Sequence, residues 1–453
     1  MDNLHQLSRS EFASRLKNVL KPAKPIDSIE LLFGREKEIE DIEYALPADG
    51  RHCFIYGERG IGKSSLAHVV ASQLQSSDKR HLRAECHKGS TFTSVINSLV
   101  NYANKNLPKG TTESQTKTNV KFPVLSHERT TKNKSENNRQ YGEVVDEALD
   151  LFREIAASYS DNTVAVIDEF DAISDDAELA KFGELLKYLS DLDINVTLIF
   201  TGIGKSLSDL LGGHFSSIRQ LHQVPLEPLN WSGRYSIIEK AFNSFDITIS
   251  DDFKYKIAGL SDGFPHYVHL LCEKILVEVH KCEKQPKAIS HDLFLLGLDA
   301  AINSVGEQIK KDYDKATEGR SESYHHLLWA AADSADLIRQ VEHVQFSYVS
   351  ICKVLDLEPL TQDDFKKCLQ RLRDKSSNNI LTKGLGSRPG WIKFKESILR
   401  GFIRMYAERH GATLDFERNF TAQTASSKTH KSQRLYRPLT NVEQQVSKLR
   451  GEK

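Results

Sequence analysis

The chain has 453 residues, which exceeds the size of one ordinary domain and predicts two or three domains. Hydrophobic residues make up 39% and charged residues 27%, a composition typical of a globular protein with a sizeable core. The net charge of −1 excludes a polycation, so any contact with nucleic acid requires a local basic patch.

Cysteine usage and the N-terminus lead us to expect a cytoplasmic protein. The six cysteines show no metal-ligand spacing, and a chain of this length needs no disulfides, so we expect reduced thiols. The N-terminal residues MDNLHQLSRSEFASRL contain charges and lack the apolar segment of a signal peptide. No apolar stretch reaches the roughly 18 residues that span a bilayer, so we expect no membrane association.

Residues 1–30 predict a helical extension followed by a linker. Phe12, Leu16, Val19 and Leu20 give the extension an amphipathic helical spacing, and the prolines of residues 21–25 indicate the linker.

Residues 31–230 alternate between strand-like and helix-like runs, which predicts an α/β core with a parallel sheet covered on both faces. The strand-like runs are His52–Tyr56, Leu82–Cys86, Val164–Ile167 and Val196–Phe200, and the clearest helical runs are Ser64–Leu74 and Leu179–Leu189. Residues 104–140 interrupt this pattern with Lys, Thr, Ser and Asn, and we interpret them as a long insertion. This insertion is either a passive loop or a loop that becomes ordered on a partner.

Three further segments follow the core. Residues 231–310 predict an all-helical region in which Pro265 opens a helix, because proline is favoured at the first helical position. Residues 320–410 predict a separate small domain. Residues 420–453 predict a basic flexible tail, with positive charges at Lys428, Lys431, Arg434, Arg437 and Lys448.

A phosphate-binding loop is indicated between the first strand and the helix that follows it. The run Gly57-Glu58-Arg59-Gly60-Ile61-Gly62-Lys63-Ser64, followed by Ser65, has the spacing G-x-x-x-x-G-K-S. The glycines let backbone N–H groups surround phosphates, and the helix presents its positive end to the anion. Lys63 would contact the β- and γ-phosphates, and Ser64 would be a ligand of Mg²⁺. The alternative is a simple glycine turn, but the strand before the loop and the helix after it favour ATP or GTP binding.

A second polar motif follows the strand Val164–Ile167, which ends in Asp168-Glu169-Phe170-Asp171. Ligands of open α/β sheets bind at the carboxyl edge of the strands, where these carboxylates would lie. Asp168 would hold Mg²⁺ through its hydration shell, and Glu169 would orient and activate the attacking water. The alternative is a solvated strand end that caps the next helix.

With these motifs in their observed order, roughly residues 31–305 resemble an AAA+ ATPase. The resemblance is greatest to the group that contains origin-recognition and replication-initiator ATPases and the signal-transducing, STAND-like ATPases of bacteria. Phe33-Gly34-Arg35-Glu36 resembles the motif at the start of their core, whose backbone cradles adenine, and Asp168 to Asp171 resembles their acidic box. Gly263-Phe264-Pro265 resembles a motif of their helical lid.

The resemblance implies roles for four further residues and implies ATP and Mg²⁺ as cofactors. Thr201 matches the sensor position near the γ-phosphate, although Asn or Ser is more usual there, and Arg35 lies in the adenine motif. Arg219 is either an arginine finger that reaches a neighbouring subunit, which would imply a homo-oligomer, or a surface arginine. His266 occupies the place of the lid's sensor arginine, or it is an ordinary residue at a helix start.

The segment 320–410 predicts three helices followed by a β-hairpin, an order that resembles a winged helix-turn-helix. Between Lys366 and Lys395 there are nine Lys or Arg residues and one acid, Asp374, which is typical of a surface that binds a phosphate backbone. The residues predicted to contact double-stranded DNA are Lys366, Lys367, Arg371, Lys375, Lys383 and Arg388. The alternative is a winged domain that packs within the protein and touches no DNA.

The sequence therefore predicts an initiator-like AAA+ ATPase with an α/β core, a helical lid and a C-terminal winged helix. The ATP state would control assembly and DNA interaction. The rival hypotheses are a regulatory ATPase switch without direct DNA binding, in bacterial defence for example, and an ATPase partner of a transposase or nuclease.

Overall fold

The computed structural model describes residues 7–48, 50–76, 79–106, 137–204, 219–284, 286–384 and 389–418. The chain forms two compact units. Unit 1 comprises residues 1–310 and 396–409, and unit 2 comprises residues 311–395 and 410–453.

A five-stranded parallel sheet is the centre of unit 1. Its strands are β1 (His52–Gly57), β2 (Leu82–Glu85), β3 (Thr163–Asp168), β4 (Val196–Gly202) and β5 (Leu221–Leu226). The spatial order is β2-β3-β4-β1-β5, and every neighbouring pair is parallel. The predicted parallel sheet is therefore confirmed.

Helices cover both faces of this sheet, as the alternation of strands and helices predicts. They are α2 (Glu36–Ala45), α3 (Lys63–Leu74), α4 (Phe92–Asn106), α5 (Asn137–Ser158) and α6 (Asp176–Asp191). Side chains of α2 and α3 share one core with Cys53 and Ile55. Side chains of α4, α5 and α6 share the other core with Phe54. Successive residues of β1 thus enter opposite cores, which explains why a doubly covered strand has a continuous apolar sequence.

The N-terminal extension begins with α1 (Arg9–Val19), which buries Phe12 and Leu16. A capping box starts this helix, because the Ser8 hydroxyl accepts from the Glu11 N–H and the Glu11 carboxylate accepts from the Ser8 N–H. The amphipathic helix predicted from residues 1–30 is therefore confirmed.

The remainder of unit 1 is helical. It contains α7 (Trp231–Asn243), α8 (Asp251–Leu260), α9 (Pro265–Lys281) and α10 (His291–Ser304), and α11 (Glu307–Thr317) spans the boundary of the unit. Pro265 is the first residue of α9, as the sequence predicts.

Unit 2 combines helices with a small antiparallel sheet. Its elements after α11 are α12 (Ser323–Ala332), β6 (Ile338–Gln340), α13 (Val341–Val354), α14 (Gln362–Arg373), β7 (Leu381–Lys383) and β8 (Trp391–Phe394). The strand order is β6-β8-β7 with antiparallel pairs. The three helices and the hairpin β7–β8 agree with the prediction, whereas β6 was not predicted.

The last helix, α15 (Leu399–Arg409), belongs to unit 1, although the sequence assigns it to the segment 320–410. The reason is a buried ion cluster: Asp262 follows α8, and its carboxylate lies 2.9 Å from Arg400 Nε and 3.0 Å from Arg404 Nη2. The other domain limits stay predictions. Residues 107–136 of the insertion, and the tail from residue 419 onwards, lie outside the described residues.

Two expectations about covalent and membrane features can be compared with the structure. All six cysteines are free thiols, as expected. Within the described part of the chain, no helix is both long and apolar enough to cross a membrane.

Candidate functional site

The strand order brings three separate sequence segments to one edge of the sheet. β4 lies between β1 and β3, and it pairs with both of them. In this register Ile55 lies opposite Thr201 on one side, and Ile167 lies opposite Phe200 on the other. The ends of β1, β4 and β3 therefore place the glycine loop, Thr201 and Asp168 side by side.

The glycine loop joins β1 to α3 in a conformation that other residues would resist. Gly62 caps α3 with φ of +100°, a backbone region that L side chains rarely adopt. A Cβ on Gly57 would lie 2.4 Å from the backbone oxygen of Leu226, so the loop also needs glycine for close packing against β5. The loop thus precedes a helix N-terminus, the ordinary geometry of a phosphate site.

Lys63, the first residue of α3, turns back over the loop. Its Nζ donates to the carbonyl oxygens of Gly57 at 3.2 Å and Glu58 at 2.9 Å. Burial lowers the pKa of Lys63, and the carboxylates of Asp171 and Asp168 act in the opposite direction. A half-buried ammonium held at the phosphate loop is well placed to contact an anion.

Asp168 is the centre of the polar network at this edge. Its Oδ1 accepts from the Ser64 hydroxyl at 2.9 Å, from the Thr201 hydroxyl, and from the Glu169 N–H at 3.1 Å. The Thr201 hydroxyl in turn accepts from the Glu169 N–H at 3.1 Å. Ser64, Asp168 and Thr201, which the sequence assigns to one site, are thus in direct contact.

Glu169 adopts a left-handed backbone conformation with φ of 54°, which is uncommon for a residue with a side chain. The hydrogen bonds from its N–H to Thr201 and Asp168 hold this turn. Burial raises the pKa of Glu169, and the neighbouring carboxylates of Asp168, Glu85 and Asp171 raise it further. A raised pKa is typical of a carboxylate that works as a general base.

Asp171, the last residue of the acidic motif, forms an ion pair that the sequence did not predict. Its Oδ2 lies 3.1 Å from Arg59 Nη2, so the acidic motif is tied to the phosphate loop. This hydrogen bond raises the pKa of Arg59. The sequence indicated only that Arg59 and Asp171 belong to two motifs of the same predicted site.

A cavity of about 420 Å³ lies over these residues, within the range of about 300–1,000 Å³ for small-molecule sites. Its lining joins Lys63, Ser64, Asp168, Glu169 and Thr201 to the linker and to the first turns of α9. Two hydrogen bonds hold the linker there. His266 Nδ1 donates to the carbonyl of Pro22 at 2.6 Å, and the Ile26 N–H donates to the Ser65 hydroxyl at 3.0 Å.

The side chain of Arg35 is buried next to the phosphate loop. Its buried guanidinium donates to the carbonyls of Ile61 at 3.1 Å and Glu227 at 2.7 Å, and it lies 3.3 Å from Glu38. Burial lowers the pKa of Arg35. A small cleft of about 20 Å³ adjoins Arg35, Ile61 and the first residue of α9, which is room for about one water molecule.

Arg219 is exposed immediately before β5, and residues 205–218 beside it lie outside the described residues. An exposed side chain fits either interpretation, an arginine finger or a surface arginine, so its role stays a prediction.

The predicted DNA-contacting residues lie in unit 2, on α14 and beyond it. Those within the described part of the chain are exposed, namely Lys366, Lys367, Arg371, Lys375 and Lys383, whereas Arg388 lies outside it. Lys367 Nζ lies 3.0 Å from Asp364, and Arg371 Nη1 donates to the Tyr324 hydroxyl at 3.3 Å. Two of the basic side chains therefore have partners within unit 2.

A phosphate loop before a helix, an acidic strand end and a polar strand between them define the class of P-loop nucleotide hydrolases. Comparison with known proteins narrows this class. Residues 31–199 match the family model of the AAA ATPase domain. This part of the chain is therefore similar to AAA ATPase domains, and the protein is an ATP-hydrolysing enzyme.

No curated protein matches the chain. Among solved structures, the chain is similar to the Walker-type ATPase PABY2304 of Pyrococcus abyssi, with 16% identity, 84% of this chain and 99% of that chain covered, and a TM-score of 0.48. It is also similar to Cdc6p of Pyrobaculum aerophilum, with 16% identity, 86% and 98% covered, and a TM-score of 0.41. Likenesses at this level carry no conclusion about function.

Proposed function

We propose that the protein is an initiator-like AAA+ ATPase that uses its ATP state to control assembly and DNA interaction. The observation that carries the ATPase part is the network in which Asp168 contacts Ser64 of the phosphate loop and Thr201 of the central strand. ATP would bind in the cavity with its phosphates on the loop, where Lys63 would exchange its two carbonyl partners for phosphate oxygens.

Hydrolysis in this proposal depends on Glu169. Its carboxylate accepts a proton from a water molecule while the water oxygen forms a bond to the γ-phosphorus and the bond to the β–γ bridging oxygen breaks, which releases ADP and phosphate. The raised pKa of Glu169 makes the carboxylate a better proton acceptor. Thr201 positions the Glu169 backbone, and Arg219 would stabilise the γ-phosphate charge of a neighbouring subunit.

The residues at the loop fit a magnesium ion. The hydroxyl of Ser64 and the carboxylate of Asp168 lie 2.9 Å apart, so Ser64 would offer a direct oxygen ligand and Asp168 would hold the ion through its hydration shell. A bound Mg²⁺ neutralises charge on the phosphates during transfer. Ser64 and Asp168 would hold the ion.

The DNA part of the proposal rests on unit 2. Helices α12, α13 and α14 followed by the hairpin β7–β8, with β6 paired to β8, are consistent with a winged helix. The exposed lysines of α14 and β7 would face the phosphate backbone, with α14 as the recognition helix and the hairpin as the wing.

The second candidate function is a regulatory switch in which unit 2 touches no DNA. The contacts of Lys367 with Asp364 and of Arg371 with Tyr324 favour it, because these side chains already have partners. The exposed ion pair is nevertheless weak, about 0–1 kcal/mol, and phosphates would compete with it.

Steady-state ATP turnover with and without duplex DNA tests the proposal. We expect DNA to change the turnover rate, and we expect this change to disappear at high salt as the phosphate contacts are lost. Turnover that is the same with and without DNA, together with no DNA binding at low salt, would support the switch.

A further inference from the structure

His269, one turn after His266 on α9, has no hydrogen-bond partner although it is buried. Only 2% of the residue is exposed, and both ring nitrogens, Nδ1 and Nε2, lack a partner. Buried polar groups in native proteins are nearly always hydrogen-bonded, so an unpaired imidazole needs an explanation. A ring of this kind is explained most simply by a ligand that pairs with it.

The position of His269 indicates which ligand this is. The residue lines the same cavity as Lys63, Ser64 and Glu169. The N-terminal end of α9 borders the phosphate loop as well, because a Cβ built on Gly62 would lie 3.6 Å from Pro265 Cγ. A helix N-terminus carries partial positive charge, which favours an anionic ligand on this side of the cavity too.

The protonation state of His269 decides what the ring can offer. Burial lowers its pKa to about 4, and the neighbouring His266 acts in the same direction. The imidazole is therefore neutral near pH 7, with one N–H donor and one acceptor nitrogen. Phosphate and ribose oxygens are suitable acceptors for that donor.

We propose that His269 is a nucleotide-binding residue whose ring N–H donates a hydrogen bond to an oxygen of the phosphate chain or ribose of bound ATP. This assignment rests on the proposal that ATP occupies the cavity. A nucleotide oxygen beside the ring would give one of these two nitrogens the hydrogen-bond partner that it lacks in the structure.

His266, the lid residue that the sequence compares with a sensor arginine, already has a partner within the protein. Its Nδ1 is engaged by the carbonyl of Pro22, so it holds the linker at the rim of the cavity. His269, one turn further along α9, is the cavity-lining histidine whose two ring nitrogens both lack a partner.

The test replaces His269 with leucine, which has no polar atoms, and with glutamine, which keeps a donor and an acceptor. We expect His269→Leu to weaken ATP binding about tenfold while the melting temperature of the nucleotide-free protein does not fall. We expect His269→Gln to recover most of the affinity. Isothermal titration with Mg-ATP and thermal unfolding without nucleotide provide the two measurements.

Two comparisons separate the failure of this inference from the failure of the proposed function. Cys272→Ala changes another buried residue of α9, and we expect it to leave ATP affinity unchanged. Lys63→Ala should lose affinity about 10- to 100-fold, because hydrogen bonds to charged groups are worth about one to two powers of ten. Full affinity in His269→Leu beside lost affinity in Lys63→Ala would overturn the role of His269 alone. Full affinity in Lys63→Ala would overturn the ATP site itself.

A measurement on the unaltered protein covers the case in which His269→Leu does not fold. With ring-¹⁵N histidine, the resonances that His269→Gln removes identify the His269 ring. We expect these resonances to shift when Mg-ATP is added, and unchanged shifts would overturn the proposal.

Discussion

The carboxyl edge of the parallel sheet and the basic face of α14 both present charged side chains, but different forces order them. At the sheet edge, Ser64 at the start of α3, Thr201 of β4 and Asp168 at the end of β3 meet because β4 lies between β1 and β3. On α14, the basic side chains follow one another along the exposed face of a single helix, where Lys367 contacts Asp364 and Arg371 contacts Tyr324.

This difference shows what each kind of sequence signal can establish. Motif spacing combined with topology defines where the polar side chains of a site meet, because the backbone holds them in place. A count of basic residues defines only the sign of the local electrostatic potential. A positive potential attracts any phosphate, but it does not specify which side chain contacts which phosphate. The predictions below test the ordered region first and the charged surface afterwards.

The largest effect is expected from Glu169→Gln. The amide cannot accept the proton of the attacking water, so turnover should fall about 10²- to 10⁴-fold while ATP still binds. Single-turnover hydrolysis and equilibrium binding of Mg-ATP measure the two properties. Glu85→Gln, which removes a neighbouring carboxylate at the end of β2, is the matched control and should remain active. Brisk hydrolysis by Glu169→Gln would show that another group activates the water.

A moderate effect is expected from reversing two charges on α14. Lys367→Glu combined with Arg371→Glu should lower the slope of log affinity for duplex DNA against log salt by about 2, because two phosphate contacts are lost. Filter binding at several salt concentrations measures the slope. Lys17→Glu combined with Lys37→Glu makes the same change in net charge at exposed positions of unit 1.

If both double variants lose DNA affinity equally, net charge rather than the face of α14 explains the binding. If neither loses affinity, α14 does not contact DNA, and the regulatory switch becomes the better hypothesis.

The smallest effect is expected in the pH dependence of turnover. Because the pKa of Glu169 is raised, its active ionised form should be lost at a higher pH than for an ordinary glutamate as the solution is acidified. Removing the charge of Glu85 lowers the pKa of Glu169, so Glu85→Gln should shift the acidic limb of kcat to lower pH. Turnover at saturating ATP between about pH 5 and 8 measures this shift. Coincident profiles for the two proteins would mean that another group limits turnover at acidic pH.

Much of the sheet region was predictable because buried strands and their loops have strong local signals. The run at β1 is apolar because its residues enter cores on both faces, and Gly62 is required by its backbone angle. The apolar run and the glycine position involve residues that are neighbours in sequence, so the spacing of residue types along the chain reveals them. On this basis the parallel sheet could be predicted. Ser64 and Asp168 are 104 residues apart, and they could be assigned to one site because each lies in a recognisable motif at the carboxyl edge of the strands.

The features that were not predicted depend on distant pairs or on very short segments. β6 has three residues, too few for a periodic pattern. The pairing of Asp262 with Arg400 joins positions 138 residues apart, and no local pattern indicates it. His269 was not predicted either, because its significance comes from the absence of a partner in a buried place.

The presence of α15 in unit 1 has a practical consequence for the preparation of shorter forms of the protein. A chain shortened to end at residue 310 would lose Arg400 and Arg404 and leave the carboxylate of Asp262 buried without its cations. Removing one side of a buried ion pair typically costs about 3–5 kcal/mol, enough to unfold many domains. An isolated ATPase fragment should therefore retain residues 396–409.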